Sequence, residues 1–314
     1  MTERVLDTVP HSSIAAVERA TGLSKDTLRV WERRYGFPQP ERDTAGDRAY
    51  PSDQVERLRV IRRLMDAGHR PGGIVALDMS ALQALAVPPE AQTLPARGNS
   101  HTSDLLACLD LIQTHDAPAL RQLLSQAAAR SGLVSFVTQL VAPLTTAVGE
   151  AWMNGRFQVF EEHIYTECVS RVLRQAMSGI PVAVASGMPR VLLTSFPGEP
   201  HALGLLMAET LLTLEGCQCL SLGPQTPIAD IAKAAAAHRA DIVALSFTPV
   251  FAARALTSGL SELRALLSPA TVIWAGGSHP SLTQRALSGV KVIQSLESLP
   301  QHLSLWQQGN YSRG

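Results

Sequence analysis

Three rhythms of apolar and polar positions succeed one another along the chain. Ile14–Thr21 (IAAVERAT) spaces its apolar residues as an amphipathic helix does, and Gly22 stops it. Ser24 predicts the cap of a second helix, Lys25–Tyr35, whose Leu28 and Trp31 stand at i, i+3. Between residues 36 and 50 the helical spacing is lost, which predicts a β-hairpin; Ser52 caps a further helix to about residue 67. Residues 87–99 (VPPEAQTLPARGN) hold three prolines and no period, the mark of a linker. Helical spacing returns over 101–180 and predicts four helices, at 103–114, 118–130, 133–150 and 157–179, with Gly132 and Gly155 at the joins. From residue 190 short β-rich runs at 190–196, 217–222, Ile242–Phe247, 272–275 and Val290–Ile293 alternate with Ala- and Leu-rich helical stretches. Such alternation predicts a parallel, doubly wound sheet.

The expected fold class is therefore multidomain, α plus α/β. A winged helix-turn-helix takes residues 1–80, a linker 81–100, a four-helix bundle 101–180 and a Rossmann-like sheet domain 181–314. A composition of 46% hydrophobic and 17% charged residues is that of a globular protein. No apolar run approaches the roughly 20 residues of a spanning helix, and residues 1–10 lack a signal-peptide core, so a cytoplasmic protein with no membrane partner is expected. Cys108, Cys168, Cys217 and Cys219 form no CxxC pair and are expected as buried, reduced thiols. The 27 basic and 27 acidic side chains cancel over the whole chain, which hides an uneven distribution. Residues 1–75 hold 13 of the basic ones against 11 acidic, and only three lysines occur anywhere, so cationic contacts here are overwhelmingly arginine.

Within the second helix Lys25, Arg29, Arg33 and Arg34 outnumber Asp26 and Glu32, and Arg29 and Arg33 share a face. Two short helices joined by a glycine turn, the second one basic, suit a helix-turn-helix that enters the major groove of DNA. The hairpin after it carries Arg42, Arg48 and Tyr50. The whole string, I-x-x-V-x-x-x-T-G-L-S-x-x-T-L-R-x-W-E-R-R-Y-G, resembles the MerR family of winged helices. That resemblance implies double-stranded operator DNA as partner. It would be met by Lys25, Arg29, Arg33, Arg34 and Tyr35 on the helix, with the wing residues Arg42, Arg48 and Tyr50 at the backbone.

Ligands of doubly wound sheets bind at the carboxyl ends of the strands, near the switch in strand order. Glu199, His201 and Gly204 follow the first strand as E-x-H-x-x-G, Ser246 closes the third, and Gly276 and Gly277 follow the fourth. Nothing of the form G-x-G-x-x-G follows the first strand, which disfavours a nicotinamide cofactor. A histidine ahead of a helix-opening glycine suits a metal ligand on a loop, with Glu199 placed to fix its tautomer and raise its basicity. Forty-one residues separate Gly204 from Ser246, and 27 separate Thr248 from Gly276. This spacing resembles the cobalamin-binding signature, D-x-H-x-x-G, then S-x-L, then G-G, with Glu199 in place of the aspartate and Thr248 in place of the leucine. The resemblance implies cobalamin as cofactor and His201 as the lower axial ligand of cobalt. It also implies a nucleotide tail lodged beside Ser246, Thr248, Gly276 and Gly277, where the glycines leave room. His279, two residues further, is a position to examine for the same tail.

Trp152 closes the third helix of the bundle, and Val159, Glu162 and His163 share one face of the fourth. The string W-x9-E-H, between a winged helix and a cobalamin-type domain, resembles the CarH/LitR family of cobalamin-dependent transcriptional regulators over nearly the whole chain. It implies that Trp152, Val159, Glu162 and His163 cover the upper face of the corrin and accommodate a 5′-deoxyadenosyl group, hence adenosylcobalamin. It further implies a repressor, a homotetramer when loaded, that light disassembles. Light-responsive members carry a histidine directly after the tryptophan; here that position is Met153, a weak ligand for Co(III). One alternative is a sensor of cobalamin or another tetrapyrrole that ignores light. The other is a cobalamin-dependent enzyme, for which no segment supplies a substrate barrel of roughly 250 residues.

Overall fold

A computed structural model describes residues 11–43, 46–66, 69–86, 100–180, 187–284 and 288–309. They fall into two compact units, Met1–Pro95 with Glu150–Phe157, and Ala96–Gly149 with Gln158–Gly314. Of the expected linker, residues 87–99 lie outside the described stretches. Its first residues belong instead to a helix, Met79–Ala86, which buries Leu82.

In the first unit the two short helices form where the spacing predicts. The Ser13 and Ser24 hydroxyls accept the backbone N–H of Ala16 and Thr27, closing each N-terminus. Gly22 and Gly36 end the helices in the left-handed region, both at φ +68°, where a side chain would be strained. Three short strands form an antiparallel sheet in the order β1-β3-β2, with β1 at His11–Ser13, β2 at Glu41–Arg42 and β3 at Arg48–Pro51. Leu28, Trp31, Tyr50, Leu58 and Ile61 make the core, and Met153 packs partly buried against it.

The second unit contains the sheet and, apart from Glu150–Phe157, the bundle. The four bundle helices are Ser100–Gln113, Ala117–Ser131, Leu133–Met153 with a π-helical stretch at Phe136–Val141, and Val159–Ser178. Leu133–Met153 is, by length and composition alone, apolar enough to cross a membrane, contrary to expectation. Its Phe136, Val137, Leu140, Val141, Leu144 and Val148 are buried, as in the core helix of a bundle.

The five strands of the sheet are β4 Arg190–Thr194, β5 Gln218–Gly223, β6 Ile242–Phe247, β7 Val272–Gly277 and β8 Val290–Ile293. All pair in parallel, in the order β5-β4-β6-β7-β8. The central strands β4 and β6 read as unbroken apolar runs because both their faces are covered. From β4 the chain steps outward to the edge strand β5 and then returns past β4 to β6. The switch in strand order therefore lies between the carboxyl ends of β4 and β6, where such sheets open a crevice. Gly276 and Gly277, expected in the loop after β7, are its last two residues and pair with Ser246 and Phe247.

Candidate functional site

The loop leaving β4 is folded back on itself. Ser195 donates its hydroxyl to the Glu199 carbonyl at 2.6 Å, and the Glu199 N–H donates to Phe196 O at 3.0 Å. These bonds place the Glu199 side chain, 1% exposed, at the switch point. Its Oε1 meets His201 Nδ1 at 2.6 Å and also accepts the His201 backbone N–H. Its Oε2 accepts both the backbone N–H and the hydroxyl of Thr248, at 2.8 and 2.7 Å. Four donors thus converge on one buried carboxylate, as a charge held away from water requires. The sequence treats Thr248 as a change of packing. In the structure it is a hydrogen-bonding partner that a leucine side chain could not replace.

Burial alone would raise the Glu199 carboxyl. The bonds from His201 and Thr248 and the charge of the imidazole outweigh it and hold the group below its ordinary value. For His201 the bond to Glu199 dominates, against burial, and the charges of Glu199 and Glu162 add to it, so its pKa stands above the ordinary value. With Nδ1 committed to Glu199 and the side chain half-exposed, Nε2 is the nitrogen left for a ligand; it makes no hydrogen bond among the described residues. Among those residues no three His, Cys, Asp or Glu side chains converge on a metal position. A lone imidazole holds a metal firmly only if the remaining ligands come with the metal, as they do in a corrin or porphyrin.

The glycines around this loop divide into two kinds. A Cβ on Gly204, in the first turn of helix Leu203–Leu214, would stand 2.7 Å from Ser246 Oγ. A Cβ on Gly277, at φ +105°, would overlap the Phe247 carbonyl oxygen at 2.1 Å. The contact at Gly277 is with backbone and at a positive φ, so that glycine is required by the protein's own packing, whereas the contact at Gly204 is with a hydroxyl that can rotate. Gly276 differs, since its Cβ would meet nothing closer than Ile293 O at 3.6 Å. A Cβ at Gly276 would make only ordinary contacts, whereas Gly277 answers to its own backbone. His279 is buried with both nitrogens engaged, Nε2 with the Phe251 carbonyl and Nδ1 with the Ser281 N–H, and is a structural residue.

On helix Val159–Ser178 of the same unit, Glu162 accepts the Thr166 hydroxyl and pairs with His163 Nδ1, each at 2.8 Å. Val159 and His163 are exposed beside it. Trp152 and Met153 belong to the first unit and are partly buried there. The four cysteines are free thiols, and burial pushes Cys108, Cys217 and Cys219 up to about 12, far from reactive.

The basic face of the first unit is uneven. Arg29, Arg33, Arg34 and Arg42 are exposed, Arg29 bonded to Asp26 at 3.2 Å and Arg42 to the Gly46 carbonyl at 2.8 Å. Lys25 and Tyr35 are half-buried, and Lys25 lies 3.7 Å from Glu18. Arg48 is half-buried and bonded to Glu32 of the second helix at 3.0 Å. Tyr50, expected at the DNA backbone, is fully buried, its hydroxyl without a hydrogen-bond partner among the described residues. The reason is the period of the strand: residues 48 and 50 point to one face of β3, and that face is turned toward the core.

Comparison with known proteins covers both units. Residues 12–78 match the MerR HTH family regulatory protein family, residues 189–296 the B12 binding domain family, and residues 106–176 a second B12 binding domain family. The HTH-type transcriptional repressor CarH of Myxococcus xanthus is 31% identical over 273 residues, 84% of this chain and 89% of that protein. The repressor CarA of the same organism is 28% identical over 297 residues, 94% and 96% of the two chains. Among solved structures, the monomethylamine corrinoid protein of Methanosarcina barkeri superposes with a TM-score of 0.53 at 14% identity. It covers 66% of this chain and 100% of its own, a likeness of fold alone.

Proposed function

We propose how this chain works from the fact that it belongs to the CarH family of MerR-type, cobalamin-binding transcriptional regulators. It binds DNA and cobalamin, and it is a regulator and not an enzyme. In our reading residues 1–80 bind DNA, 101–180 cap the cofactor and 181–314 hold it. His201 would hold the cobalt through Nε2, and the buried Glu199, anchored by Thr248, fixes the imidazole's orientation in the unloaded chain. Ser246, Thr248 and Gly276 take the nucleotide tail, while Gly204 leaves space for the Ser246 hydroxyl and Gly277 lets the Phe247 backbone come close. Val159, Glu162 and His163 would cover an adenosyl group. The bound cofactor supplies a cobalt ion with an upper ligand that light can remove.

The loaded chain acts as a tetrameric repressor on operator DNA, and light disassembles it. A chain with no net charge holds DNA weakly as one copy, so several winged helices must act together. The ligand must bind the assembled state more tightly than the free one. Met153 supplies no imidazole where light-responsive relatives have one, so the illuminated state differs from theirs at that residue.

The Glu199–His201–Thr248 network carries this reading. Its test is the absorbance spectrum and gel-filtration mass of the chain with adenosylcobalamin, dark and illuminated, for the wild type and for His201→Ala. Base-off, histidine-on absorbance should be present in the first and lost in the second, and the dark mass should exceed the light mass. Equal masses would assign the chain to light-independent sensing. A histidine-on spectrum that survives in His201→Ala would overturn the ligand assignment.

A further inference from the structure

Helix Lys25–Tyr35 buries Leu28 and Trp31 on one side. At 100° per residue the point opposite Leu28 falls on Val30. Val30 is 43% exposed, and among the described residues it is the exposed large apolar side chain of this helix. Its helical neighbours are Arg33 and Arg34 one turn on and Asp26 and Thr27 one turn back, of which Asp26, Arg33 and Arg34 are exposed. An apolar side chain therefore stands at the centre of a face that is otherwise charged or polar.

Neither packing nor helix propensity asks for valine at this position. It contributes nothing to the core, and a β-branched residue is a poorer helix former than the alanine, lysine or arginine that would serve on a solvated surface. A methyl-bearing side chain between two arginines does suit the floor of the major groove. There a thymine is marked off from every other base by its C5-methyl group, and apolar contact is how that methyl is recognised. Arginines at the same depth take phosphates or guanine edges and cannot sense it.

We infer that Val30 is a specificity-determining residue that contacts a thymine methyl at a fixed position of each operator half-site. The inference rests on the reading that this helix enters the groove, and one experiment separates the two. Duplexes are selected from a randomised pool by the full-length chain loaded with adenosylcobalamin in the dark. Each conserved thymine is then replaced by deoxyuridine, which removes the methyl and leaves base pairing intact. Affinities are measured for the wild type, Val30→Ser and Arg33→Ala. One thymine per half-site should be sensitive, wild-type binding falling about fourfold on loss of the methyl contact. In Val30→Ser the same replacement should change nothing.

A selected site with no invariant thymine, or a methyl effect of equal size in Val30→Ser, overturns the inference. If Arg33→Ala also binds as the wild type does, the helix is not in the groove and the underlying reading fails with it. If Arg33→Ala binds more weakly while deoxyuridine has no effect, only the role of Val30 is lost.

Discussion

Glu199 and Arg29 are both charged side chains assigned to a binding site in the proposed function, and their surroundings are opposite. Glu199 is 1% exposed and receives four hydrogen bonds from residues that lie up to 49 positions away in sequence. Arg29 is half-exposed, and among the described residues its hydrogen bond goes to Asp26 on its own helix. The sheet domain settles the geometry around His201 through its own hydrogen bonds. The winged helix leaves Arg29, Arg33 and Arg34 exposed, with no comparable network around them among the described residues. Disturbance of the first region should accordingly have steep, local consequences, and disturbance of the second shallow ones that add along the face.

The sharpest break is expected at the paired glycines. Gly277→Ala forces a Cβ onto the Phe247 carbonyl at a φ of +105° and should destabilise the sheet domain by about 3 kcal/mol or more in denaturant unfolding. Gly276→Ala meets no such contact and should stay within about 1 kcal/mol of the wild type. Its loss should appear in cobalamin affinity instead. If the two variants were equally unstable, the division between a structural and a ligand-facing glycine would be wrong.

Next in size is the anchor of Glu199. Thr248→Val keeps the volume and the backbone bond but removes the hydroxyl. It should weaken histidine-on cobalamin binding about tenfold, the lower range for residues that orient a metal ligand. A spectroscopic titration would show it. An unchanged affinity would mean that the backbone bond alone holds the carboxylate.

On the DNA side the effects should be smaller and graded. Arg42→Ala, if it removes a phosphate contact, should lower affinity evenly over all sequences and reduce the salt-dependence slope by about 1. Tyr50→Phe should leave DNA affinity unchanged and raise stability slightly, because it deletes a buried hydroxyl that has no partner. Weaker DNA binding by Tyr50→Phe would restore the wing role expected from sequence and contradict the burial of that ring.

These cases mark how far the sequence could be read. The alternation of β-rich and helical runs located every strand of the large sheet to within a few residues, and the spacing of E-x-H-x-x-G, serine and paired glycines located the switch-point loop. Strand β1 escaped because three residues carry no usable period. Tyr50 was misplaced because R-x-Y on a strand says that both residues share a face but not which face. Thr248 was undervalued for a related reason. Its importance lies in a carboxylate 49 residues earlier that needs donors once buried, and a linear pattern does not reveal that demand. Val30 fell at the variable position of the matched string, L-R-x-W, so the motif drew attention to its neighbours alone.

The finest test of the comparison is a titration. The hydrogen bond and charge of Glu199 raise the His201 pKa in the unloaded protein, so its imidazole should titrate by NMR above the ordinary value near 6.5. Glu199→Gln removes that charge, and the midpoint should fall. The sign for stability follows. A raised folded-state pKa stabilises the fold fully below the unfolded value and loses that contribution as pH rises through the folded one. The stabilisation is modest because the imidazole is half-exposed. For ligation the sign is reversed. With Nδ1 bonded to Glu199, proton and cobalt compete for the same Nε2, so histidine-on binding should weaken as pH falls. A midpoint unmoved by Glu199→Gln would mean that the 2.6 Å contact does not set the imidazole's charge, and the prepared site would then resemble the unprepared helix more than its geometry suggests.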